Sequence, residues 1–382
     1  MYLNLLVLIL GLVSILAFKG VVPILAILIG TIIYRNKKEN QKIKVGKEHI
    51  GIIIFLIAIG LSFMTSINKD ASWTHYNRII RAMISPIIIY NIIPFKKKYF
   101  DYGFILGGVI LAFMGISQYF FELIPYNGGD HGRIDGGYGI WHYSYIISFI
   151  SIYILNLFIM EKEKKVKIIL FIISILVIFA TLLSNTRSAW LAVVLGIFII
   201  LIINKKIKEI LVLSTLGIVL LVSLKDNQYV KPYIEKAKTI TDVKTNGSNL
   251  GRFAIWETAY DIFKENPILG VGISNYDRAN DHIYIDKATG KEYKKKYYSA
   301  HSDYFGLLAE TGIIGFIGFL IMILGLILEA YKRNKLKLII PVTFVWLFLG
   351  IFESNMNKNT YVYVMYFILY SIINYGSDEN KE

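Results

Sequence analysis

The sequence contains no cysteine and few charged residues for its length. The absence of cysteine excludes disulfides and cysteine-ligated metal sites, and it is compatible with a working face outside the cytoplasm. Only 18% of the 382 residues are charged and 55% are hydrophobic, whereas about a quarter of the residues in soluble domains are charged. This balance predicts a polytopic membrane protein. The net charge of +14 does not indicate nucleic-acid binding, because most lysines punctuate the apolar runs.

Several familiar catalytic motifs are also absent. The sequence has no H-E-x-x-H, Walker A or G-x-S-x-G motif, and no D-x-D in a predicted outer segment that would present paired carboxylates to a divalent metal. We therefore expect neither a metal nor another cofactor. A pyrophosphate substrate would need neutralising by arginine, whose planar fork binds phosphate oxygens in pairs. We expect no cleavable signal peptide, since residues 1–18 lack a basic n-region.

Apolar runs dominate the rest of the chain, and we predict an all-α polytopic integral membrane protein with about twelve transmembrane helices. Several runs are shorter than the roughly 20 residues of a straight span. The first two fit either two crossings or a shallow hairpin, and the fourth, with Arg81 and Pro86, is short for a full crossing. The runs cover residues 2–18, 21–34, 50–67, 79–93, 102–121, 141–160, 168–186, 188–204, 210–224, 303–328, 338–352 and 359–376.

The charges in the connections predict the orientation. With the N-terminus in the cytoplasm, the short inner connections carry twenty Lys and Arg and the short outer ones carry six. The positive-inside rule then places both termini in the cytoplasm, and we expect the chain in the cell inner membrane. Nine helices would lie in residues 1–224, one large extracytoplasmic loop in 225–302, and three helices with a short tail in 303–382.

The large loop has an organisation of its own. Trp256, Tyr260 and Phe263 recur at helical spacing, which predicts a helix after Gly251-Arg252 with Asn249 as its N-cap and Pro267 just beyond its end. Apolar and polar residues on either side of 288–290 predict a β-hairpin.

Two polar residues at the predicted membrane boundary are candidates for chemistry. His301 opens an apolar helix at the end of the loop, beside the positive end of the helix dipole, where a neutral ring that accepts a proton near pH 7 is favoured. The alternative is a simple polar cap. Arg187 lies in a very tight outer turn between two apolar helices. The alternative there is a snorkelling arginine that marks the boundary.

Two further arginines on the same side are weaker candidates. Arg252 precedes the predicted loop helix, where a cation slightly opposes the helix dipole, and it is either a ligand-binding group or a solvated cation. Arg133 lies in the glycine-rich segment 128–137, whose backbone can approach a ligand closely, although the segment is also suited to be a mobile connector.

Several of these residues together resemble the bacterial O-antigen ligase family, which shares its core with O-antigen polymerases. His301-Ser302, nine residues and then Gly312-Ile313-Ile314-Gly315 is similar to the histidine and G-x-x-G pattern of the ligases. Thr186-Arg187-Ser188 with Trp190 resembles the family's arginine turn. The resemblance covers residues 180–320 well. Its large-loop part is carried by Gly251-Arg252, Trp256 and the run Pro267-Ile268-Leu269-Gly270-Val271-Gly272.

The resemblance implies transfer of a glycan from undecaprenyl diphosphate to an acceptor sugar hydroxyl, on lipid A-core or another glycan, without a metal. It implies a general-base role for His301 and diphosphate binding by Arg187 and Arg252, and we add Arg133 as a third binding residue. A polymerase of O-antigen or capsular polysaccharide on the same donor is the first alternative. A flippase or transporter is the second, and a purely structural membrane protein the weakest. Membrane lipids would surround the chain.

The predicted topology can be tested with introduced cysteines. In this cysteine-free chain, Lys291→Cys should react with a membrane-impermeant thiol reagent in intact cells or spheroplasts, because it lies in the predicted outer loop. Lys164→Cys, in a predicted inner connection, serves as the control and should not react. The reverse labelling pattern would show that the orientation is wrong.

Overall fold

Helices form most of the part of the chain that the structure describes. The computed structural model describes residues 2–16, 29–30, 45–91, 97–126, 133–206, 208, 212, 215, 223, 226–228, 230–242, 246–280, 283–285, 292–294, 297–357, 365, 368–370 and 372–373. The helices are α1 (Tyr2–Leu16), α2 (Lys47–Leu61), α3 (Lys69–Tyr90), α4 (Lys97–Phe121), α5 (Ile140–Met160), α6 (Lys164–Leu183), α7 (Arg187–Ile203), α8 (Lys231–Lys238), α9 (Gly247–Glu265), α10 (Tyr276–Ala279), α11 (Asp303–Lys332) and α12 (Leu336–Phe352).

Four of these helices, α4, α5, α6 and α11, are long and apolar enough to cross a membrane. Helices α7 and α12, and much of α1 and α2, are apolar but shorter. In α5, 72% of the most apolar stretch is buried, against 33–44% in the other three long helices, so α5 lies at the centre of the bundle. The prediction of a helical membrane protein is confirmed, whereas the count of twelve crossings stays a prediction.

Most predicted runs coincide with a helix, and one differs in extent. Residues 79–90 of the run 79–93 form the second half of α3, which begins ten residues earlier, at Lys69. Its first turn carries Asp70, which the positive end of the helix dipole stabilises, and polar residues continue the helix up to the apolar run. The runs 21–34, 210–224 and 359–376 lie largely outside the described residues.

The loop between α7 and α11 contains the predicted helix and the predicted hairpin. Helix α9 ends at Glu265, just before Pro267, as predicted. Strands β1 (Ile283–Ile285) and β2 (Glu292–Lys294) pair antiparallel, with Tyr284 opposite Tyr293, which confirms the hairpin. The start of α9 differs from the prediction. The cap is Asn246, whose Oδ1 accepts a hydrogen bond from the Asn249 N–H at 3.2 Å; the N-cap assigned to Asn249 is therefore wrong.

The loop is fastened to the bundle at a break in α11. Gly312 has φ 63° and ψ −165°, which interrupts the helix. Residues 267–272, here called the wedge segment, fill the gap. Ile313 N donates to Pro267 O at 2.9 Å, and from the wedge Val271 N donates to Ala309 O at 3.1 Å. Backbone groups that the break leaves without helical partners are therefore satisfied by the wedge.

Glycine is required on both sides of this junction. A Cβ atom on Gly312 would lie 2.3 Å from Ile268 O, and one on Gly270, at φ 67°, would lie 2.4 Å from the carbonyl carbon of Glu310. Such distances leave no room for a side chain, and the positive φ values disfavour one as well. The close approach of the wedge to α11 thus fixes the position of α9 relative to the start of α11.

Gly312→Ala should destabilise the protein through this junction. A backbone at φ 63° and ψ −165° is almost exclusive to glycine, and it costs an alanine about 1–3 kcal/mol before the clash with Ile268 is counted. We expect a lower Tm for the purified protein in detergent. Gly325→Ala is the matched control in the same helix, because its Cβ would meet only Gly51 Cα at 4.0 Å, and alanine suits a helix interior. Equal Tm values for the two variants would contradict the role of the junction.

Candidate functional site

Three arginines from separate parts of the chain line one cavity of about 390 Å³. Arg133 comes from the α4–α5 connection, Arg187 is the first residue of α7, and Arg252 lies in the second turn of α9. The structure thus brings together all three of the arginines that the sequence analysis singled out. Lys236 of α8 adds a fourth cation, and no acidic side chain is among the described residues that line the cavity.

Arg187 is held by uncharged oxygens. Its Nη1 donates to both the carbonyl and the hydroxyl oxygen of Thr239, each at 2.8 Å, and its Nη2 donates to Asn249 Oδ1 at 3.2 Å. Asn249 in turn donates from Nδ2 to Asp242 O at 2.7 Å. These contacts fix the guanidinium without neutralising it, so its charge is available to a ligand in the cavity.

Arg252 and Arg133 share an aromatic support. The guanidinium carbon of each lies 5.7 Å from the centre of the Trp141 ring, and that of Arg252 also lies 5.8 Å from the Phe352 ring. Because α9 begins at Gly247, Arg252 does not precede the loop helix as predicted but projects from inside it. Cation–π contacts orient both groups, and their positive charges repel that of Arg187. Such an arrangement favours a bound anion.

His301 stands immediately before α11, as the sequence predicts. Ser302 is the N-cap, with its side chain accepting from Phe305 N, and His301 has a positive φ of 44°. His301 Nδ1 lies 3.0 Å and 3.2 Å from the two carboxylate oxygens of Glu353. The histidine side chain is 40% exposed while that of Glu353 is 4% exposed, so the ring is anchored on one side and open on the other.

The pairing of His301 with Glu353 joins the histidine to the arginine cavity. Glu353 follows Phe352, whose ring is in cation–π contact with the Arg252 guanidinium. Beside them, Tyr145 OH lies 2.9 Å from the hydroxyl of Ser188, a residue of the cavity wall. Glu353 was not predicted from the sequence. Its only signal was a carboxylate directly after an apolar helix, and nothing in the sequence pairs it with a histidine 52 residues away.

A second cavity, of about 600 Å³, adjoins the arginine cavity. The two share elements rather than residues: the first turn of α7 contributes Arg187 to one and Trp190 to the other, and α8 contributes Lys236 and Tyr233 in the same way. The Trp190 and Tyr233 rings lie 5.9 Å apart. Its lining is apolar and aromatic throughout: Tyr119, Phe120, Phe179, Leu182, Leu183, Trp190, Val230, Tyr233, Ile234 and Ala237.

The described residues contain no group of three or more His, Asp or Glu side chains placed to hold a metal ion. Around the arginine cavity the donors are guanidinium, ammonium, hydroxyl and amide groups. The guanidinium and ammonium groups bind anions rather than metal ions, so the chemistry of the lining fits a phosphate-bearing ligand.

Comparison with known proteins agrees with this arrangement. Residues 172–320 match the family model described as O-antigen ligase; the matched segment includes Arg187, Arg252, His301 and the wedge segment. The chain is also similar to an uncharacterised protein of Haemophilus influenzae (strain ATCC 51907 / DSM 11121 / KW20 / Rd), at 28% identity over 318 residues, covering 79% of this chain and 77% of that protein. The resemblance predicted from the sequence is confirmed: residues 172–320 of this helical membrane protein are similar to the O-antigen ligase family.

Proposed function

We propose that the protein transfers a glycan from a polyprenyl diphosphate, of the undecaprenyl type, to a sugar hydroxyl of an acceptor. One observation carries the proposal: Arg133, Arg187 and Arg252 converge on a cavity with no acidic side chain among its described lining residues. A diphosphate would place its oxygens against these guanidinium groups. Paired N–H···O bonds to phosphate are strong and directional, so the arginines hold the donor and set its orientation.

The adjoining apolar cavity supports a lipid donor rather than a soluble sugar nucleotide. An amphiphile with an anionic head and a long hydrocarbon tail matches the two cavities side by side, because Arg187 and Trp190 lie one turn apart on α7. The helix α8 covers both, with Lys236 toward the head group and Tyr233 toward the tail. Burial of the tail there adds apolar contact area to the charge-assisted hydrogen bonds of the head.

His301 is the general base of the proposed reaction. Its Nδ1–H donates to Glu353, which leaves Nε2 with a lone pair for the acceptor hydroxyl. As the hydroxyl oxygen bonds to the anomeric carbon of the donor sugar, its proton passes to Nε2, and the bond between that carbon and the phosphate oxygen breaks. The diphosphate leaves with the electron pair. Glu353 stabilises the imidazolium that forms, and the arginines stabilise the charge on the leaving group.

The proposed site lies at the outer face of the inner membrane. That location follows from the excess of lysine and arginine in the inner connections, with both termini in the cytoplasm and about twelve crossings. Residues 1–224 and 303–382 would carry the transmembrane helices, and residues 225–302 the extracytoplasmic loop. A donor that arrives already activated suits this side of the membrane.

A polymerase that extends a glycan on its own lipid carrier is the second candidate, because the matched family model does not separate the two reactions by their acceptor. Purified protein that moves a preassembled glycan to lipid A-core in one step would be a ligase. Lengthening of the donor chains without a second acceptor would identify a polymerase. A flippase is less well supported, since His301 and the arginines lie together at one end of the bundle, beside the loop.

Substitutions at the site should separate binding from chemistry. His301→Ala should still bind undecaprenyl diphosphate but lose transfer by about 10²–10⁴-fold, the usual contribution of a general base. Arg187→Lys and Arg252→Lys should weaken donor binding, because an ammonium keeps the charge but loses the bidentate fork. Transfer and lipid binding are both measured on purified protein in nanodiscs.

Arg81→Lys is the matched control for the arginine variants, because Arg81 is exposed on α3 and donates to Asn77 O. It should bind and transfer like the wild type. Chelation with EDTA should also leave transfer unchanged, since arginines replace a metal in this account. Near-wild-type transfer by well-folded His301→Ala protein would refute the role of the histidine, and strong inhibition by EDTA would refute that of the arginines.

A further inference from the structure

A third cavity, of about 260 Å³, lies beside His301 and shares no lining residue with the arginine cavity. It is walled by the start of α11, by the short helix α10 and by the ends of the two segments that carry His301 and Glu353. Its lining is polar except for two small residues and one aromatic ring: Ser274, Asp277, Arg278, Tyr298, Ser299, Ala300, Gly306, Glu310 and Ser354.

The walls of this cavity are fixed by hydrogen bonds. Arg278 Nη1 donates to Asp277 Oδ1 at 2.9 Å and to Ser274 O at 3.1 Å. The backbone N–H of Tyr276 donates to the buried Glu310 carboxylate at 3.2 Å, and the Tyr276 hydroxyl donates to Ile255 O of α9 at 3.0 Å. The polar groups of α10 are therefore held in place before a ligand arrives, which lowers the entropy cost of binding.

Strained backbone borders the cavity on two sides. Ser274 has φ 62° and His301 has φ 44°, values that side-chain-bearing residues seldom adopt. Residues in such conformations cluster at binding and catalytic sites, where contacts with the surrounding structure offset their conformational free-energy cost. Ser274 itself lines the cavity, and the His301 ring contacts Glu353.

The cavity is joined directly to the catalytic pair. Ser299 Oγ donates to Ser354 Oγ at 3.0 Å and accepts from the backbone N–H of His301 at 3.3 Å. Ser354 follows Glu353 in the chain, and Phe352 before it supports Arg252. Of these three consecutive residues, Phe352 contacts Arg252 of the donor cavity, Glu353 contacts His301, and Ser354 lines the third cavity. A ligand in the third cavity would therefore lie next to His301.

The chemistry of the lining selects a neutral polyhydroxyl ligand. Hydroxyl, carboxylate and guanidinium groups together offer both donors and acceptors to sugar hydroxyls, and Tyr298, 83% exposed, offers a ring face at the mouth. Arg278, the cation among the described lining residues, is already paired with Asp277 at 2.9 Å, so this cavity lacks the cluster of cations that the arginine cavity offers to a diphosphate. The volume is below the about 300–1,000 Å³ of ordinary ligand pockets, which suits one sugar unit.

We infer that this third cavity binds the terminal sugar of the acceptor glycan and presents one of its hydroxyls to His301. The inference rests on the proposed transfer function and deepens it, because it gives the donor and the acceptor separate sites. The donor site lies near Phe352 and the acceptor site beside Ser354. It holds for a ligase and for a polymerase, since both need an acceptor sugar beside the base.

The test is a kinetic separation of acceptor and donor. Donor is the lipid-linked glycan, and acceptor is the envelope extract of a strain that lacks this gene and therefore carries unmodified acceptor. Asp277→Asn and Tyr298→Ala should each raise the KM for acceptor by about tenfold, as expected for the loss of one hydrogen bond to a charged group or one ring contact. The KM for donor and the binding of undecaprenyl diphosphate should not change.

Asp261→Asn is the matched control, because Asp261 forms a similar but exposed ion pair with Lys264, at 2.8 Å on α9. It should leave both KM values unchanged. An unchanged acceptor KM in Asp277→Asn and Tyr298→Ala protein that still binds undecaprenyl diphosphate would overturn the inference, as would an equal rise in both KM values. The exposed Tyr298 keeps the test decisive if Asp277→Asn does not fold. A wild type that binds the lipid but transfers no glycan would instead refute the proposed function.

Discussion

The backbone hydrogen bonds between the wedge segment and the break in α11 are the constraint on which the site depends. Gly312 opens the helix, and residues 267–272 enter the gap and bond to both of its sides. The wedge follows α9 directly, so its position sets where Arg252 stands. Its other partner is the first part of α11, which begins beside His301. One junction therefore places a cation from the loop and a base from the helix in a single fixed arrangement.

Electrostatics then determines what this arrangement can bind. Arg133, Arg187 and Arg252 converge although their charges repel one another. Arg187 is held by hydroxyl, carbonyl and amide oxygens, and Arg252 contacts two aromatic rings. No acidic side chain among the described residues that line the arginine cavity offsets this repulsion. The buried Glu353 carboxylate is directed at His301 instead. Cations for the leaving group and a carboxylate for the base are thus kept apart.

The sequence allowed the prediction of those parts that depend on local pattern. The apolar runs, the helix start next to His301 and the tight turn at Arg187 follow from neighbouring residues. The structure has the helix start and the turn, and it has most of the runs that lie within the described residues. The start of α9 was mispredicted because Asn246 and Asn249 are both good caps, and only the contacts of Asn249 with Arg187 decide between them. Glu353 was missed because its pairing depends on tertiary packing.

The central claim is that the three arginines hold a lipid diphosphate within reach of His301. A cryo-EM structure of the protein in nanodiscs with undecaprenyl diphosphate tests it most directly. The account predicts density for the two phosphates among Arg133, Arg187 and Arg252, with the hydrocarbon chain running past Trp190 and Tyr233. A lipid bound elsewhere, with its phosphates away from these arginines and the cavity empty, would contradict the account.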